Sequence, residues 1–297
     1  MKRFLAKLLL MLVLLLACAY GVCALRIACW WMTSTEMDVP AGTKVLCVGS
    51  SQIGCSLTST GGGVHLLWRP SVPIQFAWMR LAELSRKGML EGMSVVICDL
   101  NFSTIGVQQE DNLERYWVEM LPVSWRHPEK IAVSPFRLYS SLLLHVMDPY
   151  DVSTLSERVN PSKTLAERDD GWINDQWNRS VKNHDPDDSM LVTEWKDSIV
   201  RAVMGINEIC QTHHIRLIVL SPPTSSRYLR RISSRSRDRM SAVVALLKEN
   251  GIEYVDASAS LPDQYFIDLV HLSSVGSQRF SESLFTNCGL NRGLKYR

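Results

Sequence analysis

The sequence is poor in several features that would mark a protein class. No two cysteines stand at the short paired spacing of a zinc site. Of the eight cysteines, Cys18, Cys23 and Cys29 lie in or beside an N-terminal apolar run. That leaves Cys47, Cys55, Cys98, Cys210 and Cys288, an odd set that makes a poor disulfide framework. Cys47 and Cys98 sit in apolar runs and read as small buried hydrophobes. Charge is also scarce. The net charge is +2 and charged residues make up 21%, which gives no basis for a nucleic-acid partner. A hydrophobic content of 46% excludes wholesale disorder. No internal repeat is present. What remains is a chain of 297 residues, long enough to bury one sizeable core with room for an insertion.

The N-terminus carries the longest apolar run. Lys2, Arg3 and Lys7 precede an uncharged stretch from Leu8 to Leu25, closed by Arg26. About 18 apolar residues suffice to cross a bilayer as a helix. Positive residues before the run keep the N-terminus in the cytoplasm and send the rest outward, and Trp30 and Trp31 suit the membrane–water interface. The expected organisation is a cytoplasmic stub and membrane anchor over 1–31 and an exported domain over 32–297. Localisation is then the inner membrane, single-pass, with the C-terminal domain periplasmic or otherwise extracytoplasmic. A cleaved signal peptide, giving a secreted protein, is the main rival. A lipoprotein is another, because Leu15-Leu16-Ala17-Cys18 resembles a lipobox.

Beyond the anchor, four short apolar runs read as buried parallel strands: Val45–Val48, Val95–Cys98, Leu217–Leu220 and Ile252–Val255. Helical patterns lie between them, over Ile74–Lys87, Thr193–Thr212, Arg239–Asn250 and Ser274–Phe285. Gly251 provides a C-terminal stop for the third. The alternation predicts an α/β fold with a doubly wound parallel sheet, a three-layer sandwich whose ligands bind beyond the C-terminal strand ends. The polar stretch at about 148–188, with Pro161, Pro186, Trp172 and Trp177, is expected to be a long insertion. Its tryptophans either pack it onto the body or form a lid or partner surface.

Two segments could carry chemistry. Val45-Leu46-Cys47-Val48 runs straight into Gly49-Ser50-Ser51, so a sharp turn would leave a hydroxyl at the rim of the sheet. A serine there becomes a nucleophile only with a base in reach, and the same residues also suit an ordinary turn. Further on, Asp268-Leu269-Val270-His271 places a carboxylate three residues before an imidazole. One turn of chain can bring the two together, fixing the tautomer and stabilising the imidazolium. A structural histidine or a capping aspartate would look the same.

Taken together, Gly-x-Ser after the first strand and Asp-x-x-His before the last helix resemble the SGNH (GDSL-like) hydrolase superfamily. The resemblance spans about Lys44 to Phe285. It implies Ser51 as nucleophile, with His271 and Asp268 completing a triad, and it implies no cofactor. The phrases Ile252-Glu253-Tyr254-Val255-Asp256 and Tyr265-Phe266-Ile267-Asp268 look like the membrane-anchored, cell-envelope branch. That branch is similar to proteins of O-acylation or deacylation of envelope polymers. The expected function is therefore a serine esterase or O-acyltransferase acting on an acylated envelope polymer. The alternative is a non-catalytic domain that binds envelope polysaccharide or assists a membrane acyltransferase. The sequence departs from the family pattern in three places. Ser50 stands where the family usually has Asp or Asn, and Gly61-Gly62-Gly63 is only at a suitable distance for the second-block glycine. The third-block Gly-x-Asn-Asp is absent, which leaves Asn101, in Cys98-Asp99-Leu100-Asn101, as the candidate oxyanion donor.

Lesser features remain. Ser221-Pro222-Pro223-Thr224 should form a rigid rim loop. Arg227, Arg230, Arg231, Arg235, Arg237 and Arg239 form a basic run, either a solvated helix face or a contact for an anionic glycan or lipid headgroups. His213-His214 closes a helix and lacks a matching partner, so no metal is expected there.

Overall fold

The structure, a computed structural model, describes residues 4, 6–15, 17, 18, 21, 22, 39–58, 63–69, 72–102, 104, 164–181 and 192–290. The chain divides into two compact units: Met1–Glu36 with Glu114–Asp151, and Met37–Leu113 with Val152–Arg297. Of the first unit, the described residues between 4 and 22 are helical, and Leu8 to Leu15 expose their apolar side chains. Among the described residues, no helix is long and apolar enough to cross a membrane. The expected span Leu8–Leu25 falls partly on residues outside that set.

The second unit is built on five parallel strands: β1 (Val45–Gly49), β2 (Val64–Trp68), β3 (Val95–Asp99), β4 (Arg216–Ser221) and β5 (Glu253–Asp256). Their order is β2-β1-β3-β4-β5. Among the described residues, seven α-helices accompany them: α1 (Ser51–Ser56), α2 (Ile74–Arg86), α3 (Asp170–Val181), α4 (Val192–Thr212), α5 (Ser226–Leu229), α6 (Ser234–Glu249) and α7 (Ser274–Asn287).

The period-two rule of a strand sorts the core into two layers. Leu46, Val48, Val96, Cys98, Leu217 and Val219 face one side, where α2, α4 and α6 cover them with residues such as Leu81, Val203 and Val243. Val45, Cys47, Val95, Ile97, Ile218 and Leu220 face the other, against Ile53 of α1, Ile173 of α3, Tyr228 of α5 and Phe280 of α7. Strands covered on both faces have no polar side, which is why β1 and β3 are buried along their whole length. From β1 the chain crosses to β2 on one side and then to β3 on the other. The β1/β3 boundary is therefore the switch point of the sheet, where doubly wound folds form their crevice.

Three expectations need correction. β2 was not anticipated: His65 interrupts its apolar residues, and as an edge strand it is only partly buried. Helix α6 starts five residues before Arg239, because Ser233 caps it by accepting from the Ser236 N–H. Part of the insertion is helical rather than loop. A capping box between Thr164 and Glu167 opens a 3-10 turn at Leu165–Glu167, and Asp169 accepts from the Trp172 N–H at the start of α3. Ile173 and Trp177, one turn apart, then pack on the body, Trp177 meeting Tyr228 edge to face at 5.5 Å. The remainder of the insertion, 148–163 and 182–188, lies outside the described residues.

Candidate active site

The end of β1 dictates where Ser51 sits. Gly49 has φ +153°, a backbone conformation that L side chains rarely adopt. A Cβ at this position would also overlap Asp99 Oδ1. Glycine is thus needed both for the turn and for the close approach of β3. Ser50 follows as the N-cap of α1, its Oγ accepting from the Gln52 N–H at 3.2 Å. Ser51 opens the helix and is 8% exposed.

Asp99 fixes that turn from the neighbouring strand. The Ser50 N–H donates to Asp99 Oδ1 at 3.0 Å, and the Ser50 hydroxyl donates to Asp99 Oδ2. Asn101 Nδ2 donates to the same Oδ2 at 2.8 Å. Burial pushes the Asp99 carboxyl up to about 6, against the opposing pull of the Ser50 and Asn101 hydrogen bonds. Asn101 is itself locked: its N–H donates to Thr104 Oγ1 at 2.8 Å, and its Oδ1 accepts from the Thr104 N–H at 2.9 Å.

The partner segment is a tight loop between Phe266 and Leu272, which form an antiparallel bridge. Within it, Asp268 Oδ1 accepts from the Val270 N–H at 2.9 Å and the His271 N–H at 2.8 Å. This Asx turn folds the imidazole back onto the carboxylate. Ser273 then caps α7, and Gly276 in its first turn lets the loop backbone settle close, since a Cβ there would come 2.5 Å from the Tyr265 carbonyl oxygen.

The two segments, 220 residues apart in sequence, converge. Ser51 Oγ lies 3.0 Å from His271 Nε2, and His271 Nδ1 lies 2.8 Å from Asp268 Oδ2. With Nδ1–H donating to the carboxylate, Nε2 is left to accept the Ser51 proton. Burial raises the Asp268 carboxyl, but the charge of His271 and the hydrogen bonds from its ring and from two backbone N–H groups outweigh this. Asp268 ends below the ordinary carboxylate range. It therefore stays ionised while the imidazole works.

Two neighbours carried no usable signal in the sequence. Trp68, at the end of β2, lies flat on α1, where a Cβ on Gly54 would run into its ring. Cys55 of α1 has its thiol pushed up to about 12, first by burial and then by the Asp268 charge. A thiol so raised is not a nucleophile at neutral pH. Asp256 ends β5 and serves structure, accepting from the Ser258 N–H at 3.0 Å and its hydroxyl at 2.7 Å.

The sheet, ordered β2-β1-β3-β4-β5, carries a chain of hydrogen bonds from Ser51 through His271 to Asp268 beyond its C-terminal edge. The fold is an α/β sandwich with a doubly wound parallel sheet. Solved structures to which the chain is similar include three hydrolases. One is a lipase/acylhydrolase from Enterococcus faecalis, at 10% identity and TM-score 0.40, covering 86% of this chain and 98% of that one. Another is a carbohydrate acetylesterase family member from Sinorhizobium meliloti, at 10% identity and TM-score 0.39, covering 85% and 100%. A third is an acetylxylan esterase from Geobacillus stearothermophilus, at 12% identity and TM-score 0.37, covering 84% and 96%. No protein-family model matches the chain, and neither does any curated protein.

Proposed function

We propose that this protein is an SGNH-type serine esterase or O-acyltransferase, held at the membrane and acting on an acylated cell-envelope polymer. The observation that carries the chemistry is the unbroken chain from Ser51 Oγ through His271 to Asp268. Ser51 Oγ attacks the ester carbonyl carbon as its proton passes to His271 Nε2. The tetrahedral intermediate collapses, the C–O bond to the alcohol breaks, and His271 returns the proton to the departing oxygen. Water then attacks the acyl-serine with His271 as base, giving acid and free enzyme; a sugar hydroxyl in place of water gives transfer. The developing oxyanion is assigned to the Ser51 N–H, which in the first turn of α1 has no intrahelical acceptor; the candidate donor Asn101 instead gives its N–H to Thr104 and its amide nitrogen to Asp99.

The test is turnover of p-nitrophenyl acetate and labelling by a fluorophosphonate, each compared with Ser51→Ala. Both should fall to background in the variant. Hydrolysis that survives Ser51→Ala removes this mechanism. A wild-type chain that neither turns over nor labels favours the other reading, a binding domain that assists a membrane acyltransferase.

The anchor reading is supported by the apolar run of the sequence and by the exposed side chains of Leu8 to Leu15. Extracting membranes with alkaline carbonate should leave the full chain in the pellet and release a chain lacking residues 1–31. Release of the full chain would dismiss the anchor in favour of a secreted form.

A further inference from the structure

Away from the triad, a cavity of about 500 Å3 opens between α3 and the segment that follows β4. Asp170 and Asn174 of α3 form one wall; Arg227 of α5, with Arg230 and Arg231 just after it, forms the other. The volume is in the range of small-ligand sites. Three of the six arginines in the basic run thus line one concavity.

Their charges are held in place mostly by neutral oxygens. Arg231 Nη2 donates to Asn174 Oδ1 at 2.7 Å, and its guanidinium stands 5.9 Å from the Trp177 ring centroid. Arg230 Nη1 donates to Ser226 Oγ at 3.0 Å. Arg227 Nη1 donates to the Arg168 carbonyl at 2.8 Å, with Asp263 Oδ2 behind it at 3.5 Å from Nε. Three guanidinium groups against the single lining carboxylate of Asp170 leave an excess of two positive charges, and counting Asp263 still leaves one. Planar forks fixed in this way match the two oxygens of a carboxylate or phosphate.

The same wall is fastened to the catalytic loop. Asp263 accepts from the Ser226 N–H at 2.8 Å and the Ser226 hydroxyl at 3.0 Å. The Ser225 hydroxyl donates at 2.7 Å to the carbonyl of Leu269, the residue next to Asp268. On the other wall, the Leu165 N–H that precedes α3 donates to the Phe266 carbonyl at 2.8 Å. A group bound between the walls is therefore held in register with the loop that carries Asp268 and His271.

We propose that this cavity is a subsite for a carboxylate or phosphate borne by the substrate, so that the esters cleaved or formed at Ser51 belong to an anionic polymer. The proposal rests on the esterase or acyltransferase reading for its purpose. Its concavity fits a discrete anionic group better than the plane of a bilayer surface.

Binding is measured by calorimetry on the full chain carrying Ser51→Ala, so that turnover plays no part. The probes are polygalacturonate, poly(glycerol phosphate) and neutral dextran. One of the acidic polymers should bind and dextran should not, and added salt should weaken the binding. Replacing both Arg230 and Arg231 by alanine should weaken it at least tenfold. Arg230→Ala alone, at an exposed side chain that can be removed without disturbing the core, should weaken it about threefold, in line with one charged contact at a wet site. Unchanged affinity in these variants overturns the proposal. So does equal binding of dextran, or binding to vesicles of anionic lipid without binding to either acidic polymer. A chain that binds but shows no esterase activity in its wild-type form counts against the catalytic reading alone.

Discussion

Asp99 and Gly49 face each other across the β1/β3 boundary so closely that any side chain at 49 would occupy the space of the Asp99 carboxylate. The nucleophile turn is thus shaped by a residue that is distant in sequence and buried in the structure.

Gly49→Ala should destabilise the protein by more than about 2 kcal/mol, from backbone strain and overpacking together. It should also abolish most esterase activity. Made in an Asp99→Ala background, the same change should cost distinctly less, since the clash has been removed. Chemical denaturation of the four chains gives the coupling, and a coupling near zero would show that the contact has no energetic weight.

Asp268→Asn keeps the shape of the loop residue but takes away the charge that orients His271. Turnover of p-nitrophenyl acetate should fall by roughly 10³–10⁴, as expected when the imidazole is left in the wrong tautomer. A loss of less than tenfold would mean that the carboxylate only shapes the loop.

Asp99 makes stability depend on pH in an unusual direction. Its folded value of about 6 lies above its ordinary value of 3.8, so the folded state binds the proton more tightly than the unfolded chain does. The associated stability is complete below about 4 and is lost as pH rises through about 6. The advantage of wild type over Asp99→Asn should therefore shrink by roughly 3 kcal/mol in all from well below the lower value to well above the upper one, about 2 kcal/mol of it between pH 4 and 6, from about 1.4 kcal/mol for each unit of pKa. Urea unfolding of both chains across that range checks the sign; an advantage that grows with pH contradicts it.

The sheet was legible because a strand buried on both faces leaves an apolar run that little else imitates, as in Val45–Val48 and Val95–Cys98. The edge strand β2 was not, because its exposure admits His65 and blurs the pattern. At the site, Asp268 and His271 could be paired because a single turn joins them, and the hydrogen bond at 2.8 Å is the result. Bringing Ser51 to them took the fold resemblance, since no local rule links residues 220 positions apart. Asp99 carries no signal of its own in the sequence, where it merely follows the expected strand Val95–Cys98. Its importance comes from facing Ser50 across two strands, a relationship that exists only once the sheet is assembled.

That same cross-strand tie has a mechanical consequence. Ser50 is latched to β3 through both its backbone and its hydroxyl, so the peptide bearing the nucleophile moves with the sheet and not as a surface loop. Accommodation of differently shaped substrates must then fall to the surrounding walls, while the attacking oxygen keeps a constant position.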